Sequence, residues 1–296
     1  MSEPVIVSIR DPRAHPHAGL DWRARLELLR ARVGSLGRVV VAYSGGVDSS
    51  VVLRVAHEQL GPGALAVIGR SDSYALRELE LALAQAAEFG AAVEVVTTGE
   101  LSDPVFASNT PDRCYHCKSE LYRQLDAVAE RFGAAAVLDG TIADDALDHR
   151  PGRRAAEERR VLSPLADLGF TKADVREVAA HFGLASRGKP ASPCLASRIP
   201  YGTAITPGNL ARVERAEDAL RGLGFAELRV RHHDDVARIE VPLADLPRLL
   251  DPGLRDRVVA ALRGAGYRFG SLALEGLRSG SLNRMLEPGQ EQSGLK

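Results

Sequence analysis

Short apolar runs alternate with amphipathic stretches along the first half of the chain. From Leu20 to about Val33, the residues Trp22, Leu26, Leu28, Leu29 and Val33 recur at helical spacing and predict an amphipathic helix. Arg38 to Tyr43 carries three consecutive valines, the pattern of a strand buried on both faces. Further apolar runs of this kind occur at Ala64–Gly69, Ala92–Thr97 and Ala135–Asp139. Helical stretches lie between them: one running to about Leu60 and broken by Gly61-Pro62-Gly63, one from Tyr74 to Phe89, and one over about 115–131. Gly90 and Gly133 supply the C-terminal stops of the last two. Strands and helices alternating at this spacing predict an α/β fold with a doubly wound parallel sheet.

Near residue 200 the pattern changes. Pro and Gly cluster at 188–193 and at Pro200-Tyr201-Gly202. Thr206-Pro207 then opens a helix to about Leu223, with Pro at its first position. Residues 225–231 and 236–241 alternate like two strands of a hairpin joined by His232-His233-Asp234-Asp235, a turn expected to be solvated. Two helical stretches over 243–265 and a strand at 267–274 follow. The expected organisation is a loose arm at 1–19, an α/β domain at 20–200, a smaller α+β domain at 201–286 and a disordered tail at 287–296.

The first strand runs into Ser44-Gly45-Gly46-Val47-Asp48-Ser49-Ser50 and then into a helix. A glycine pair between a buried strand and a helix brings bare backbone N–H groups to an anion. Ser44, Ser49 and Ser50 add hydroxyl donors. Asp48 would repel a bare phosphate, so it implies an intervening Mg²⁺ or a capping role. It is no Walker A loop, because no Gly-Lys-Ser/Thr follows. Ligands of such sheets bind beyond the C-terminal strand ends. Ser71 and Ser73 after the second strand, and Asp139-Gly140-Thr141 after the fourth, are therefore expected to face this loop. Asp144 and Asp145 lie in a loop that also holds Asp148, His149, Arg150, Arg153 and Arg154; carboxylates beside phosphates suit Mg²⁺. The connection from Gly99 to Arg113 is long, and reads either as a functional flap or as a mobile surface loop.

Composition narrows the function. The chain has 296 residues, 45% hydrophobic, with a formal net charge of −1, so no global field draws it to nucleic acid or a membrane surface. No segment reaches the ~18 apolar residues of a membrane span and no signal peptide opens the chain, so a cytoplasmic location is expected. Only four of the 38 basic residues are lysines, which makes Lys118 and Lys189, both inside motifs, the more noteworthy.

Three cysteines in such a chain argue for metal or catalysis over disulfides. Cys114-Tyr115-His116-Cys117 is a C-x2-C pair, and Cys194 lies in the Pro/Gly-rich loop. The spacing is compatible with zinc, completed by His116 or a distant histidine, and with an iron–sulfur cluster that leaves one iron open. A thioredoxin-like pair fits less well, because it does not open the right βα unit. Three unrelated small core residues remain the bland alternative. Arg229 and Arg231 alternate on a strand and so share a face, as an anion site or a solvated edge.

SGGVDSS resembles the PP-loop of the ATP pyrophosphatases. With PDRCYHCK (111–118), DGTIADDALDHRPGRRA (139–155), SPCLASRIPYGTAIT (192–206) and RVRHHDDVARIEV (229–241), the chain resembles the LarE family in order and over nearly its whole length. The resemblance implies ATP-dependent sulfur transfer. A carboxylate of pyridinium-3,5-biscarboxylic acid mononucleotide is adenylated, pyrophosphate leaves, and oxygen is replaced by sulfur on the way to the nickel-pincer cofactor of lactate racemase. It implies that Ser44, Gly45, Gly46, Asp48 and Ser49 hold pyrophosphate. It also implies that Arg229 and Arg231 bind the substrate phosphate, that Glu217 is an acidic site position, and that Arg198 lies beside the reacting Cys194. Two sulfur sources occur in the family. One branch sacrifices the cysteine matching Cys194; the other binds a [4Fe–4S] cluster with an extra sulfide through cysteines matching Cys114, Cys117 and Cys194. Three cysteines point to the cluster branch. A homo-oligomer, a sulfide donor and a downstream nickel-inserting protein are the expected partners. Another PP-loop ligase, a tRNA-thiolating enzyme, or a nucleotide- or metal-binding module without activity are the alternatives.

Overall fold

The computed structural model describes residues 17, 19–147, 151–190, 192–278 and 281–285. The arm expected at 1–19 falls almost wholly outside the described residues, and the tail at 287–296, with Asp148, His149 and Arg150, wholly outside them. The first part of the chain runs α1 (Trp22–Gly34), β1 (Val39–Ala42), α2 (Val47–Leu60), β2 (Ala64–Arg70), α3 (Leu76–Glu88), β3 (Ala92–Thr97), α4 (Pro104–Ala107), α5 (Arg113–Phe132) and β4 (Ala136–Leu138). Then come α6 (Pro151–Glu158), α7 (Pro164–Asp167) and α8 (Lys172–His181), a stretch in which the apolar pattern had suggested no elements.

All pairings in the first sheet are parallel, in the order β3-β2-β1-β4, so the doubly wound expectation is met. The valines of β1 explain why it is central. Val39 and Val41 join one core with α1, α2, α3 and α8, while Val40 faces the other with α5 and α6. A strand covered on both faces needs apolar residues at every position. The chain winds outward from β1 to β3, then returns to the other side of β1 with β4. The switch point therefore lies between β1 and β4, and the loops after both strands open there.

The rest comprises α9 (Pro207–Gly222), β5 (Arg229–His233), β6 (Val236–Glu240), α10 (Leu246–Leu250), α11 (Pro252–Ala265) and β7 (Phe269–Leu272). β5 and β6 are antiparallel and β7 adds parallel to β6. The turn is shorter than expected. His232 and His233 belong to β5, and Asp234, at φ +50°, turns the chain with Asp235. His232 is not solvated: it is 1% exposed, with Nδ1 3.2 Å from the Tyr267 hydroxyl, and burial followed by the Arg212 charge lowers its pKa. A strand that packs its inner face on α9 buries whatever side chain the register puts there.

The 99–113 connection is neither a free flap nor a floppy loop. Asn109 is fully buried at φ +59° and donates from Nδ2 to the carbonyls of Ile199 (3.2 Å), Pro200 (2.7 Å) and Thr203 (3.0 Å). Its Oδ1 accepts from Arg113 at 2.7 Å. Asn tolerates the left-handed conformation better than most residues, and here one amide ties two distant loops together.

α9 joins the two sheets. Leu210 and Val213 pack on a cluster with Phe106, Leu195 and Ile199, and Ala216 and Leu220 pack in the core of the second sheet. Glu217 sits on this helix, 1% exposed. Its Oε1 accepts from Arg198 Nε (2.8 Å) and Val230 N–H (3.1 Å), and its Oε2 accepts from Arg198 (3.1 Å) and Arg221 (2.8 Å). Burial pushes its carboxyl up, but Arg198, Arg221 and the Val230 N–H outweigh burial and hold it below the usual range. Removing one partner of a buried ion pair typically costs about 3–5 kcal/mol. Glu217→Ala should therefore lower the unfolding free energy in urea by about that amount. Its contribution is complete above the ordinary carboxylate range and is lost as pH falls through the depressed value. Glu217→Gln should accordingly flatten the acid limb of the stability curve; an unchanged limb would remove Glu217 from the acid response.

Candidate functional site

The loop after β1 is shaped by two glycines that admit no side chain. Gly45 has φ +65°, and a Cβ there would lie 2.5 Å from the Ala82 Cβ. Gly140, after β4, would place a Cβ 2.6 Å from the backbone N of Ser49. The end of β4 thus presses directly on the first turn of α2. The N-cap of α2 is Gly46, which has no capping side chain. First-turn N–H groups lack intrahelical acceptors and carry the positive end of the helix dipole.

The serines hold the loop as well as line it. Ser44 N–H donates to Ser49 Oγ (3.2 Å), Ser44 and Ser49 share a hydroxyl contact (3.1 Å), and Ser50 donates to the Gly46 carbonyl (2.7 Å). Gln85 donates to Ser50 and Tyr43 and accepts from the Ser186 N–H. Lys189 bonds Glu78 at 2.7 Å and reaches the Gly45 carbonyl at 3.3 Å.

Asp48 points to a cation that sequence reasoning missed. Lys172 Nζ lies 2.8 and 2.7 Å from its two carboxylate oxygens. The Lys172 N–H in turn donates to Asp144 Oδ2 at 2.8 Å. Lys172 opens α8, where Thr171 and Asp174 form a capping box. That box, readable as Thr-x-x-Asp before an apolar run, was the one local signal available. Asp145 accepts from the Ile142 N–H at 3.2 Å. Asp139 accepts from Thr141 N–H (3.1 Å), Thr141 hydroxyl (2.8 Å), Ser163 (2.8 Å) and Tyr122 (3.2 Å), so Thr141 braces the strand end. Ser71 and Ser73 both donate to buried Glu100.

A cleft of about 270 Å³ opens beside the loop and is closed on its far side by the second sheet. Gly45, Gln85 and Lys189 line one wall; Leu228 and Arg229 line the other. Arg229 donates to the Arg278 carbonyl at 3.0 Å and, among the described residues, pairs with no carboxylate within 4 Å. Burial, then the charges of Arg231 and Arg198, lower its pKa, as expected for a cation short of an anion. Arg77 shares the cleft and was likewise missed; an exposed arginine at a helix start carries no distinguishing pattern.

Arg231 differs from Arg229. It is 2% exposed and donates to the Ser197 carbonyl (2.7 Å), Glu240 (2.8 Å) and Ser281 (2.8 Å). Arg198 is also buried, pairing with Glu217 and donating to the carbonyls of Pro193 and Cys194. These two arginines hold the Cys194 loop from both sides.

Cys114 and Cys117 are one turn apart on α5, and Cys194 caps the 3-10 turn Leu195–Arg198. All three are thiols, with no disulfide among them. Cys117 and Cys194 pack on the same apolar cluster. Burial pushes the Cys117 thiol up, followed by the fields of Cys194 and Glu100. Lys118 is accessible, 5.7 Å from the Tyr122 ring centre. Its pKa is raised, chiefly by Tyr122. His116, a possible zinc ligand by sequence, is held 2.7 Å from Asp103. Among the described residues, no three His, Cys, Asp or Glu side chains close round a single ion, and no helix is long and apolar enough to cross a membrane.

No family model matches the chain. It is 44% identical to an uncharacterized protein of Synechocystis over 89% of its length and 98% of that protein's. It is 43% identical to the pyridinium-3,5-bisthiocarboxylic acid mononucleotide synthase of Lactiplantibacillus plantarum, over 88% of its length and 95% of the relative's. A probable tRNA sulfurtransferase of Methanobrevibacter smithii is 25% identical over 78% of this chain and 61% of its own. With identity at this level over nearly the whole length of both chains, the chain belongs to the LarE family of ATP-dependent sulfur transferases in the PP-loop superfamily.

Proposed function

We propose that this enzyme adenylates a carboxylate of pyridinium-3,5-biscarboxylic acid mononucleotide and converts it to a thiocarboxylate for the nickel-pincer cofactor of lactate racemase. The observation that carries the reading is the cleft itself. It brings the glycine-rich loop, the Lys189 to Arg198 segment that contains Cys194, and Arg229 to one space. ATP phosphates take the first-turn N–H groups of α2. Asp48 would hold Mg²⁺, which would neutralise phosphate charge, and Lys172, released from that carboxylate, would turn to the phosphates. The substrate carboxylate oxygen attacks the α-phosphorus, the bond to the β-phosphate oxygen breaks, and pyrophosphate leaves with both electrons of that bond. Sulfur then adds to the acyl carbon, and AMP departs with the original oxygen.

The thiols fit an iron–sulfur cluster in donor chemistry: they are three soft ligands, with Cys114 and Cys117 one turn apart on α5 and Cys117 and Cys194 packed on the same apolar cluster. Cys114, Cys117 and Cys194 would hold it, and it would supply a transferable sulfide at its open iron. Arg198 and Arg231 fix the Cys194 loop, and Lys118 adds positive charge between the thiols and Asp139. A sulfide donor, a nickel-inserting protein and further copies of the chain are its proposed partners, in the cytoplasm.

Three measurements test this. With substrate and Mg²⁺, ATP should give AMP and pyrophosphate, and Asp48→Ala should abolish that reaction while keeping the circular dichroism of the parent; ADP and orthophosphate would refute the nucleotide chemistry. Arg229→Ala should weaken substrate binding by about 1.5–3 kcal/mol, the range for hydrogen bonds to charged groups, with ATP affinity almost unchanged. Arg231→Ala should in addition lower the melting temperature, because its partners are buried; calorimetry of both variants separates ligand from strut. Finally, the mass of the chain after turnover reports the sulfur source. A cluster-dependent enzyme keeps all three cysteine sulfurs and cycles with added sulfide. Conversion of Cys194 to dehydroalanine, with iron-independent activity, would place the chain in the sacrificial branch.

A further inference from the structure

Glu100 begins the 3-10 turn after β3 and is 2% exposed. One oxygen, Oε1, accepts both the Ser71 and Ser73 hydroxyls, the latter at 2.8 Å. The other, Oε2, is buried and has no hydrogen-bond partner among the described residues. A buried carboxylate oxygen without a donor or counter-cation is costly, and its persistence in a native fold calls for an ion or a chemical role.

Its neighbours say which. The adjacent Leu101 packs on the same apolar cluster as Cys117 and Cys194. The Ser73 carbonyl accepts from the N–H of Leu195, next to Cys194, at 2.8 Å. Glu100 therefore stands at the thiol pocket through two independent connections. His116, within the C-x2-C turn, is held by Asp103. Four irons at the corners of a cube take one protein ligand each, so their donors stand further apart than those of a single ion.

We propose that Glu100 is a fourth protein donor of the thiol pocket, its unpartnered Oε2 serving as the exchangeable ligand of the iron that the three cysteines leave open. This rests on the cluster reading above. An oxygen ligand on a soft-ligand centre is readily exchanged. Hydrosulfide would displace it: the iron–oxygen bond breaks, an iron–sulfur bond forms, the carboxylate leaves with its electron pair and accepts the hydrosulfide proton, and no oxidation state changes. The site would thus be closed while it waits and open when sulfide arrives.

The test uses anaerobically reconstituted full-length chain. Iron per chain and the electron paramagnetic resonance spectrum are followed during mild ferricyanide oxidation. Glu100→Gln keeps the Oε1 acceptor for both serines but replaces Oε2 with an amide nitrogen. It should shed the fourth iron and give the three-iron signal at least about tenfold faster than the parent, on the scale by which ligand-sphere changes alter metal affinity. Glu100→Asp, which keeps the carboxylate one methylene further back, should fall between them and serves if the Gln variant does not fold. Identical iron retention in parent and variants would overturn the assignment while leaving the cluster intact. Failure of the parent to bind iron, with or without Cys114→Ala, would overturn the cluster reading and this assignment with it.

Discussion

The Arg198–Glu217 pair fixes where everything else sits. Arg198 belongs to the loop that carries Cys194, and Glu217 to the helix that bridges both sheets. Neither is in water, so each needs the other, and the guanidinium fork meets the carboxylate in two contacts of 2.8 and 3.1 Å. Spare capacity is used as well: Glu217 also takes the Val230 N–H, and Arg198 the carbonyls before Leu195. A buried pair gives little net stability but penalises every alternative arrangement. Here those alternatives are other positions of the second sheet relative to the cysteine loop. The cleft between them inherits its width from this contact.

A second constraint is lack of space. Gly45 against Ala82 and Gly140 against Ser49 leave less than a methyl group of clearance on two sides of the same loop. The loop cannot relax outward when it carries no anion. Serine hydroxyls, which could otherwise line it passively, bond across it and keep its shape. Ligand binding there needs little reorganisation, apart from the exchange of Lys172.

Much of the fold was legible because burial on two faces leaves a plain mark. The valines of β1 and the glycine punctuation after Leu60, Phe89 and Phe132 reveal strands and helix ends directly. α6 to α8 left no such mark: they are short, and their apolar residues are mostly alanine, with two valines and one leucine. The site was legible where backbone geometry dictates residue type, as at Gly45 and Gly46. It was not legible where function depends on partners distant in sequence. Nothing near Lys172 signals that it meets Asp48, 124 positions away, and nothing near Arg231 separates it from Arg229. The alternation of β5 put both arginines on one face; only the sheet's neighbours decide that one is covered by Glu240 and Ser281 while the other faces the cleft.

The walls of the cysteine pocket come from segments that are far apart along the chain. Residues around 100–109 supply one side, the first turn of α5 a second, and the loop from Cys194 to Thr203 the third, with Asn109 knotting the first to the last. During synthesis the C-x2-C pair is complete 77 residues before Cys194 is made. It cannot at that time present more than two thiols. The meeting of the three thiols is therefore a late event in the life of the polypeptide.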